Sequence, residues 1–259
     1  MRYVWDMYEE YFGKGKTGKI SRKIIPFIAN YLRLWDVSSS NRVDYFVANS
    51  RHVANRIWRY YRREADVIYP PVDTHHFPPS IKNEGYYLIV SALVPYKKID
   101  LAIKVFNEMG EPLYIIGDGP EKKRLMGMAK NNIRFFDWVP ANQLGSHFAN
   151  CRGLIFPGEE DFGIVPVEAQ SCGKPVIAYQ KGGALETIIG VEKGSKREPT
   201  GVFFSQQTEE ALVNAILQFE SVNWNYQWIH SHAQKFSRAR FFQEIKTYID
   251  QKVQQHFGS

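Results

Sequence analysis

From Tyr86 onward, short apolar segments alternate with longer segments of helical periodicity, and this alternation restricts the fold more than any other feature of the chain. The apolar segments have the length of strands, and apolar residues recur between them at helical spacing. The predicted strands are Tyr87–Val90, Leu113–Ile116, Ile133–Phe136, Leu154–Phe156 and Val176–Ala178. The predicted helices are Lys98–Met109, one from Glu121, one near Asn142 and one that contains Glu168. This order predicts an α/β fold with a doubly wound parallel sheet.

The two ends of the chain follow other patterns. Within residues 1–80, two short predicted strands, 44–49 and 66–69, flank a helix from Arg51 to about Arg63 that Ser50 caps. Two strands and two or three helices are too little for a sheet of their own. The tail from Phe236 has the apolar spacing of an amphipathic helix. We therefore divide the chain into residues 1–80, 81–235 and 236–259.

Two carboxylates eight positions apart, Glu160 and Glu168, stand where the chain passes from a predicted strand into a predicted helix. Ligands of doubly wound sheets bind outside the carboxyl ends of the strands, where Glu160, Gly117 and Lys97 fall. Gly163 allows a close approach of the backbone, and the helix start that follows offers free amides and partial positive charge to a phosphate. The pattern predicts a nucleotide-sugar site, with one carboxylate available to each of two sugars.

The net charge of +6 arises entirely from the N-terminal part of the chain. Residues 1–66 hold 13 Lys and Arg against 7 Asp and Glu, whereas the remainder holds 20 of each. The basic stretch 14–33 surrounds apolar residues, which suits an anionic membrane surface. The stretch 56–63 mixes Arg with aromatic residues, as nucleic-acid binders do. An ordinary solvated helix face explains either stretch equally well; of the two partners, we keep peripheral membrane contact as a hypothesis and expect no nucleic acid.

The sequence also bears on the cellular compartment. No apolar run approaches the ~20 residues that span a bilayer, and residues 1–15 lack the apolar core of a signal peptide. Two cysteines, Cys151 and Cys172, make no disulfide framework. We expect buried structural thiols and a cytoplasmic protein, located at the inner face of the membrane if the peripheral contact exists.

Three groups of residues resemble the retaining GT-B glycosyltransferases of the fourth sequence-based family. They are the Glu-x7-Glu block at 160–168, Ile-Gly-Asp-Gly-Pro at 116–120 and Ala-Leu-Glu at 184–186 after a Gly pair. The stretches 69–73, 93–97 and 155–163 look most like the WbaZ-like mannosyltransferase branch. The resemblance implies two Rossmann-like domains. It implies that 81–235 form a complete donor-binding domain and that 236–259 form a crossover helix. It also implies that 1–80 are an interdomain linker and the remnant of an acceptor-side domain that lacks most of its family sequence.

The resemblance also implies roles for individual residues. It assigns Lys97 to the diphosphate and Glu160 to a hydroxyl of the transferred sugar, as the catalytic pair. The substrate-binding residues that it implies are Glu168 at the ribose, Phe162, Gly163, Ile164 and Val165 in the loop and helix start, and Gly117, Trp138 and Val139. The chain has no Asp-x-Asp pair, and Lys97 with the helix dipole can meet the phosphate charge. We therefore expect no metal and no other cofactor.

The implied function is retaining transfer of a hexose, mannose from GDP-mannose, to a glycan or lipid-linked glycan. An alternative is a donor-binding half that binds nucleotide sugar without turnover. Two departures from the family pattern motivate this alternative. Ala92 stands where the family usually has an Arg of the diphosphate clamp, and we consider Lys98 as a partial substitute. A cleft histidine is also missing, since His52, His75, His76 and His147 all lack the matching sequence context.

Overall fold

The computed structural model describes residues 4–8, 12–13, 19–74, 79–192 and 197–258. These residues divide into two compact units. The smaller unit contains the described residues up to Ala48 together with Val53–Val67. The larger unit contains Asn49–His52 and the described residues from Ile68 onward.

The smaller unit contains helix α1 (Lys19–Ser40), strand β1 (Val47–Ala48), most of helix α2 (Arg51–Tyr61) and strand β2 (Asp66–Val67). The two strands pair in parallel, with Val47 opposite Asp66. Both strands are shorter than predicted. They form a small two-stranded sheet, so the expectation that residues 1–80 hold too little for a sheet of their own is wrong. Helix α2 ends two residues before its predicted end, next to Arg62, whose φ of 54° is left-handed. Such a backbone conformation does not continue a helix.

Helix α1 has two different faces. On one face, Asp36 accepts hydrogen bonds from the Trp5 indole (2.8 Å) and the Tyr61 hydroxyl (2.7 Å), and Arg33 donates to the carbonyl of Val4 (2.7 Å). The other face is apolar and between 50% and 80% exposed. Its residues, which we call the α1 apolar stripe, are Ile24, Phe27, Ile28, Tyr31, Leu34 and Trp35. Their spacing of one, three or four residues places them along one side of the helix.

The larger unit is built on a six-stranded parallel sheet with the order β5-β4-β3-β6-β7-β8. The strands are β3 (Tyr87–Val90), β4 (Leu113–Ile116), β5 (Ile133–Phe136), β6 (Gly153–Phe156), β7 (Val176–Tyr179) and β8 (Gly201–Phe204). Five match the predicted strands to within one residue, whereas β8 was not predicted. The chain runs outward from β3 to β5 on one side and from β6 to β8 on the other. The doubly wound fold is therefore confirmed, and the order in which the chain adds strands reverses between β3 and β6.

Helices pack on both faces of this sheet. The helices of the larger unit are, in chain order, α3 (Ile99–Met109), α4 (Lys122–Met128), α5 (Ala141–Asn150), α6 (Ile164–Ser171), α7 (Ala184–Thr187), α8 (Glu209–Glu220), α9 (Tyr226–Ala233) and α10 (Arg238–Phe257), of which α10 has no buried residue. Alternate residues of one strand enter opposite cores, as strand geometry requires. In β3, Tyr87 and Ile89 join a cluster that includes Phe106 of α3, whereas Leu88 joins a cluster that includes Phe148 of α5.

Both cysteines lie in the second of these clusters, buried and unbridged. Burial raises the pKa of the Cys151 and Cys172 thiols to about 12, so both remain protonated at neutral pH. The expectation of buried structural thiols is confirmed.

The predicted tail helix is also present, as α10. Ser237 caps it by accepting a hydrogen bond from the backbone of Arg240 (3.4 Å). Among the helices that the structure describes, none is long and apolar enough to cross a membrane.

Candidate active site

The candidate site lies where the strand order reverses, at the carboxyl ends of β3 and β6. Connections from neighbouring strands diverge at such a point and leave a crevice. Beyond β3 the chain forms a 3-10 turn, Pro95–Lys97, and beyond β6 it forms the loop 157–163 that leads into α6. Lys97 and Glu160 are therefore brought to the same crevice although they are far apart in the sequence.

A close backbone contact fixes the distance between these two loops. A Cβ atom at Gly158 would lie 2.9 Å from the Cα atom of Lys97, so only glycine fits there. The Lys97 ammonium forms an ion pair with Oε1 of Glu160, and the two side chains are only 17% and 19% exposed. The shielding strengthens their attraction compared with a surface pair. The structure thus joins the two residues that the sequence assigned to catalysis.

The start of α6 forms the next part of the site. Gly163 precedes the helix in a left-handed conformation (φ 87°, ψ 75°). Because it is a glycine, it has no side chain to cap the helix. The amides of the first turn have no partner inside the helix and carry its positive dipole. Ile164 and Val165 are the first two residues of that turn. Phe162 is 3% exposed, and its ring packs on Tyr69 (5.7 Å between centroids), so this side chain anchors the loop.

These residues surround a cavity of about 320 Å³. Of the residues assigned from the sequence, it is lined by Lys97, Glu160, Phe162, Gly163, Ile164 and Val165. Asn49, Pro70, Phe156 and Asp161 complete its wall. Asn49 was not anticipated, because the sequence presents it only as the last residue of a short strand. A polar residue at the end of a predicted strand was the one available signal.

The Gly182-Gly183 pair holds the carboxylate loop in place. The Gly183 amide donates to the Glu160 carbonyl (2.8 Å). A Cβ at Gly182 would lie 2.2 Å from that carbonyl oxygen, and one at Gly183 would lie 2.3 Å from the Cα of Phe162. Real Cβ atoms essentially never come that close. The glycines are therefore required by the packing of backbone against backbone.

Glu186, three residues after this pair, caps helix α2. Its carboxylate accepts hydrogen bonds from the backbone amides of Arg51 (2.8 Å) and His52 (3.0 Å) and from the Tyr69 hydroxyl (3.1 Å). The sequence had assigned the cap to Ser50, and a carboxylate at a helix start is also favoured by the dipole. His52 Nε2 lies 3.6 Å from Oε1 of Glu159, next to the catalytic candidate Glu160.

Glu168 lies outside the lining of this cavity, in the second turn of α6. Burial, with a further contribution from the Asp73 carboxylate, raises the pKa of Glu168 above its ordinary value. A shielded carboxylate of this kind benefits strongly from hydrogen-bond donors such as a pair of hydroxyls.

Gly117, Trp138 and Val139 also lie outside that lining. A Cβ at Gly117 would overlap the Ser91 carbonyl at 1.9 Å, so this glycine lets the β3 and β4 loops pack together. Trp138 follows β5 and is 78% exposed, whereas Val139 packs against the core. Lys98, considered as a substitute for the missing Arg at Ala92, has a left-handed φ of 55° and does not line the cavity.

The remaining sequence hypotheses concern histidines and metals. His147 packs its ring on Phe136 (5.1 Å between centroids), and His75 and His76 lie outside the described residues. Within the parts of the chain that the structure describes, no group of three or more His, Cys, Asp or Glu side chains is arranged to hold a metal ion.

Comparison with known proteins places this site in a family context. The family model for glycosyl transferases group 1 matches residues 72–237. The GDP-mannose-dependent alpha-(1-6)-phosphatidylinositol monomannoside mannosyltransferase of Mycolicibacterium smegmatis is 27% identical over 196 residues, which cover 60% of this chain and 51% of that protein. The alpha-1,3/1,6-mannosyltransferase ALG2 of Candida glabrata is 35% identical over 162 residues, covering 59% of this chain and 34% of ALG2.

The fold comparison agrees. The crystal structure of Anabaena HepE in complex with UDP and glucose superposes with a TM-score of 0.69 at 23% identity, covering 84% of this chain and 66% of HepE. The chain spans about half the length, or less, of the two mannosyltransferases that it matches.

Proposed function

Since this chain belongs to the glycosyl transferases group 1 family, we propose that it acts in the retaining transfer of mannose from GDP-mannose to a glycan or lipid-linked glycan. The observation that carries the proposal is the Lys97–Glu160 pair beside the start of α6, at the reversal point of the sheet. The mannosyltransferase names of two relatives support the choice of mannose, and one of those names includes GDP-mannose. The WbaZ-like branch is the narrowest placement that we propose.

In this proposal the donor diphosphate lies between Lys97 and the first turn of α6. A lysine ammonium and helix-start amides both stabilise the negative charge that grows on a departing diphosphate. Since the two features line the same cavity, they act on the same group. We propose that this arrangement removes the need for a metal ion. Transfer that persists in the presence of a chelator would agree with that, and transfer restored only by a divalent cation would contradict it.

Glu160 and Glu168 address the two sugars of the donor. Glu160 accepts a hydrogen bond from a hydroxyl of the mannose, and Glu168 accepts two from the ribose. In the retaining step the bond from the anomeric carbon to the diphosphate oxygen breaks, and a bond to the acceptor oxygen forms on the same face. The acceptor proton passes to the departing diphosphate, which leaves as GDP. Holding acceptor and donor together accounts for much of the rate gain in such a step.

Trp138 and Val139, beyond β5, form the wall for the base in this proposal. Trp138 is largely exposed, which leaves its ring available to stack on a purine. Guanine is the most specific part of the proposal, since the HepE complex contains the uracil nucleotide UDP.

Calorimetric titration tests the donor assignment. We expect GDP and GDP-mannose to bind without added metal, and UDP to bind more weakly. Replacing Glu168 by Ala removes two hydroxyl contacts to a charged group, at a cost of about 1.5–3 kcal/mol, or roughly 10- to 150-fold in affinity. Glu210→Ala, at an exposed carboxylate on α8, serves as the control. Equal affinity of the Glu168→Ala variant and the wild type would contradict the role of Glu168.

We also propose that the α1 apolar stripe contacts an anionic membrane surface. Six large exposed apolar side chains, three of them aromatic, are typical of an interfacial helix. Residues 1–66 carry the whole net charge of the chain, +6, which complements anionic lipid. We expect binding to vesicles that contain phosphatidylglycerol and little binding to pure phosphatidylcholine.

A matched pair of variants tests this surface. Phe27→Ser with Leu34→Ser should weaken vesicle binding at least about tenfold, because two side chains leave the interface. Leu217→Ser removes a comparably exposed leucine from α8 and should leave binding unchanged. Equal loss in both proteins, or binding that ignores lipid charge, would contradict the proposal.

A further inference from the structure

Asn49 lies in the wall of the candidate active site although it comes from a distant part of the chain. The segment Asn49–His52 belongs to the larger unit, which also contains the loops of Lys97 and Glu160. Among the described residues that line the cavity, the polar side chains are those of Asn49, Lys97, Glu160 and Asp161. The last three are ionisable, so Asn49 supplies the neutral polar group of the wall.

The backbone around Asn49 is anchored on the larger unit. The Glu186 carboxylate accepts hydrogen bonds from the backbone amides of Arg51 (2.8 Å) and His52 (3.0 Å), two and three residues after Asn49. Ser50, which lies between, is fully buried. A buried neighbour and two amides bound to one carboxylate restrict the backbone at Asn49. The fold therefore holds this residue at the cavity.

The side chain of Asn49 is exposed and can receive a ligand. Its Oδ1 accepts a hydrogen bond from the Ser50 hydroxyl (3.2 Å). A carboxamide has two N–H donors in addition to its oxygen. Because the oxygen is bonded to Ser50, the two donors remain for an oxygen atom of a ligand in the cavity.

Asn49 and Glu160 have opposite hydrogen-bonding character. An ionised carboxylate only accepts hydrogen bonds, whereas the amide N–H group only donates them. A sugar hydroxyl does both, so neighbouring hydroxyls of one hexose satisfy the two side chains together. A phosphate oxygen only accepts, and in the proposed function Lys97 and the first amides of α6 already bind the phosphates. The pair therefore suits the hexose better than it suits a second anionic group.

We infer that Asn49 binds a hydroxyl group of the transferred hexose, beside the hydroxyl that Glu160 binds. The inference rests on the proposed function, because it requires the sugar of the donor to occupy this cavity. Asn49 is then a specificity-determining residue, since it favours hexoses that present a hydroxyl at this position. It contributes to binding of the sugar and leaves binding of the nucleotide to other residues.

Calorimetric titration of Asn49→Ala with GDP and GDP-mannose separates the sugar from the nucleotide. Because one neutral hydrogen bond is lost, GDP-mannose should bind about three- to tenfold more weakly, while GDP affinity stays within about twofold. Preserved GDP binding also shows that the variant is folded. Asn131→Ala, at an exposed asparagine outside the cavity lining, is the control and should bind both ligands as the wild type does. Equal weakening of both ligands by Asn49→Ala, or unchanged GDP-mannose affinity, would overturn the inference.

Deoxy analogues of the donor distinguish a direct contact from an effect through the fold. Analogues of GDP-mannose that lack the 2-, 3-, 4- or 6-hydroxyl are titrated into the wild type and into Asn49→Ala. For one analogue, the loss of affinity seen in the wild type should be absent from the variant, because the contact is already gone. Additive losses for every analogue would mean that Asn49 acts only through the fold, and would overturn the inference.

The wild-type protein separates this inference from the proposed function. UDP and UDP-glucose are titrated alongside the guanine ligands. Tighter binding of UDP-glucose would refute the mannose donor, and the comparison between nucleotide and nucleotide sugar would then be made with the UDP pair, with the same expectation for Asn49→Ala. A wild type that binds no nucleotide sugar would refute the proposed function and the hexose contact together. A wild type that binds GDP-mannose no better than Asn49→Ala does would refute the inference alone.

Discussion

Two glycines with nearly the same backbone conformation offer a sharp test of how the carboxylate loop is held. Gly182 has a φ of +69° and Gly110 a φ of +73°. A Cβ at Gly110 meets nothing within 4 Å, whereas one at Gly182 would lie 2.2 Å from the Glu160 carbonyl oxygen. Replacing each glycine by alanine therefore imposes the same conformational strain, and only Gly182→Ala adds a steric overlap beside the site.

The magnitudes follow from these two contributions. The left-handed conformation costs an alanine about 1–2 kcal/mol in either position. At Gly182 the contact must lengthen from 2.2 Å to at least 3.0 Å, the distance below which real Cβ atoms essentially never occur. Overpacking of this kind costs a further ~1–3 kcal/mol. The movement also displaces the Glu160 carbonyl from the Gly183 amide that bonds it.

Urea denaturation and donor titration together decide the outcome. We expect Gly182→Ala to be less stable than Gly110→Ala by about 1–3 kcal/mol. We also expect Gly182→Ala to weaken GDP-mannose more than GDP, because Glu160 addresses the sugar, while Gly110→Ala leaves both affinities unchanged. Equal destabilisation of the two variants, with wild-type GDP-mannose affinity in Gly182→Ala, would refute the reasoning.

Three further predictions concern the charged residues of the site. Because burial raises the pKa of Glu168, ionising this carboxyl weakens the folded state. The stability that the protonated carboxyl contributes is fully present below its ordinary pKa of 4.5 and is lost as the pH rises through the raised value. Glu168→Gln should therefore be more stable than the wild type at pH 7 and about equal to it near pH 4, and a constant difference by urea denaturation would contradict this. Lys97→Met leaves the shielded Glu160 carboxylate without its paired cation and should cost about 1–3 kcal/mol. Adding Glu160→Gln should recover part of that loss, whereas additive losses in a double-mutant cycle would exclude coupling. Glu160→Ala should keep GDP affinity within about threefold while abolishing transfer from radiolabelled GDP-mannose, and an equal loss of both would count against its role at the sugar.

The sheet of the larger unit was predictable because its strands are short, apolar and regularly spaced. Strand β8 was not predicted because its four residues follow a polar stretch of sequence, without a helical pattern directly before them. In the smaller unit, only two residues of each strand are paired. The lengths of the apolar stretches therefore predicted strands that were too long. Helix α1 includes Pro26, which argues locally against a helix. Asp36 and Arg33 of this helix bond to residues outside it. Such contacts leave no periodic pattern in the sequence.

The candidate site was predictable where it follows a strand end and unpredictable where distant backbone approaches it. Lys97, Glu160 and the start of α6 come from the ends of adjacent strands, so the topology alone brings them together. Asn49 reaches the same cavity from a segment more than 100 residues upstream of Glu160, and no local pattern indicates that. The role of Gly182 and Gly183 depends on distances to the backbone of another loop. Such distances exist only in the folded chain.

A crystal structure of the chain with GDP-mannose tests the central claim most directly. The account predicts diphosphate oxygens within hydrogen-bond distance of the Lys97 ammonium and of the first amides of α6. It also predicts Glu168 at the ribose and Glu160 at the mannose. A nucleotide bound elsewhere, or a diphosphate remote from both Lys97 and the start of α6, would contradict the claim that this crevice is the donor site.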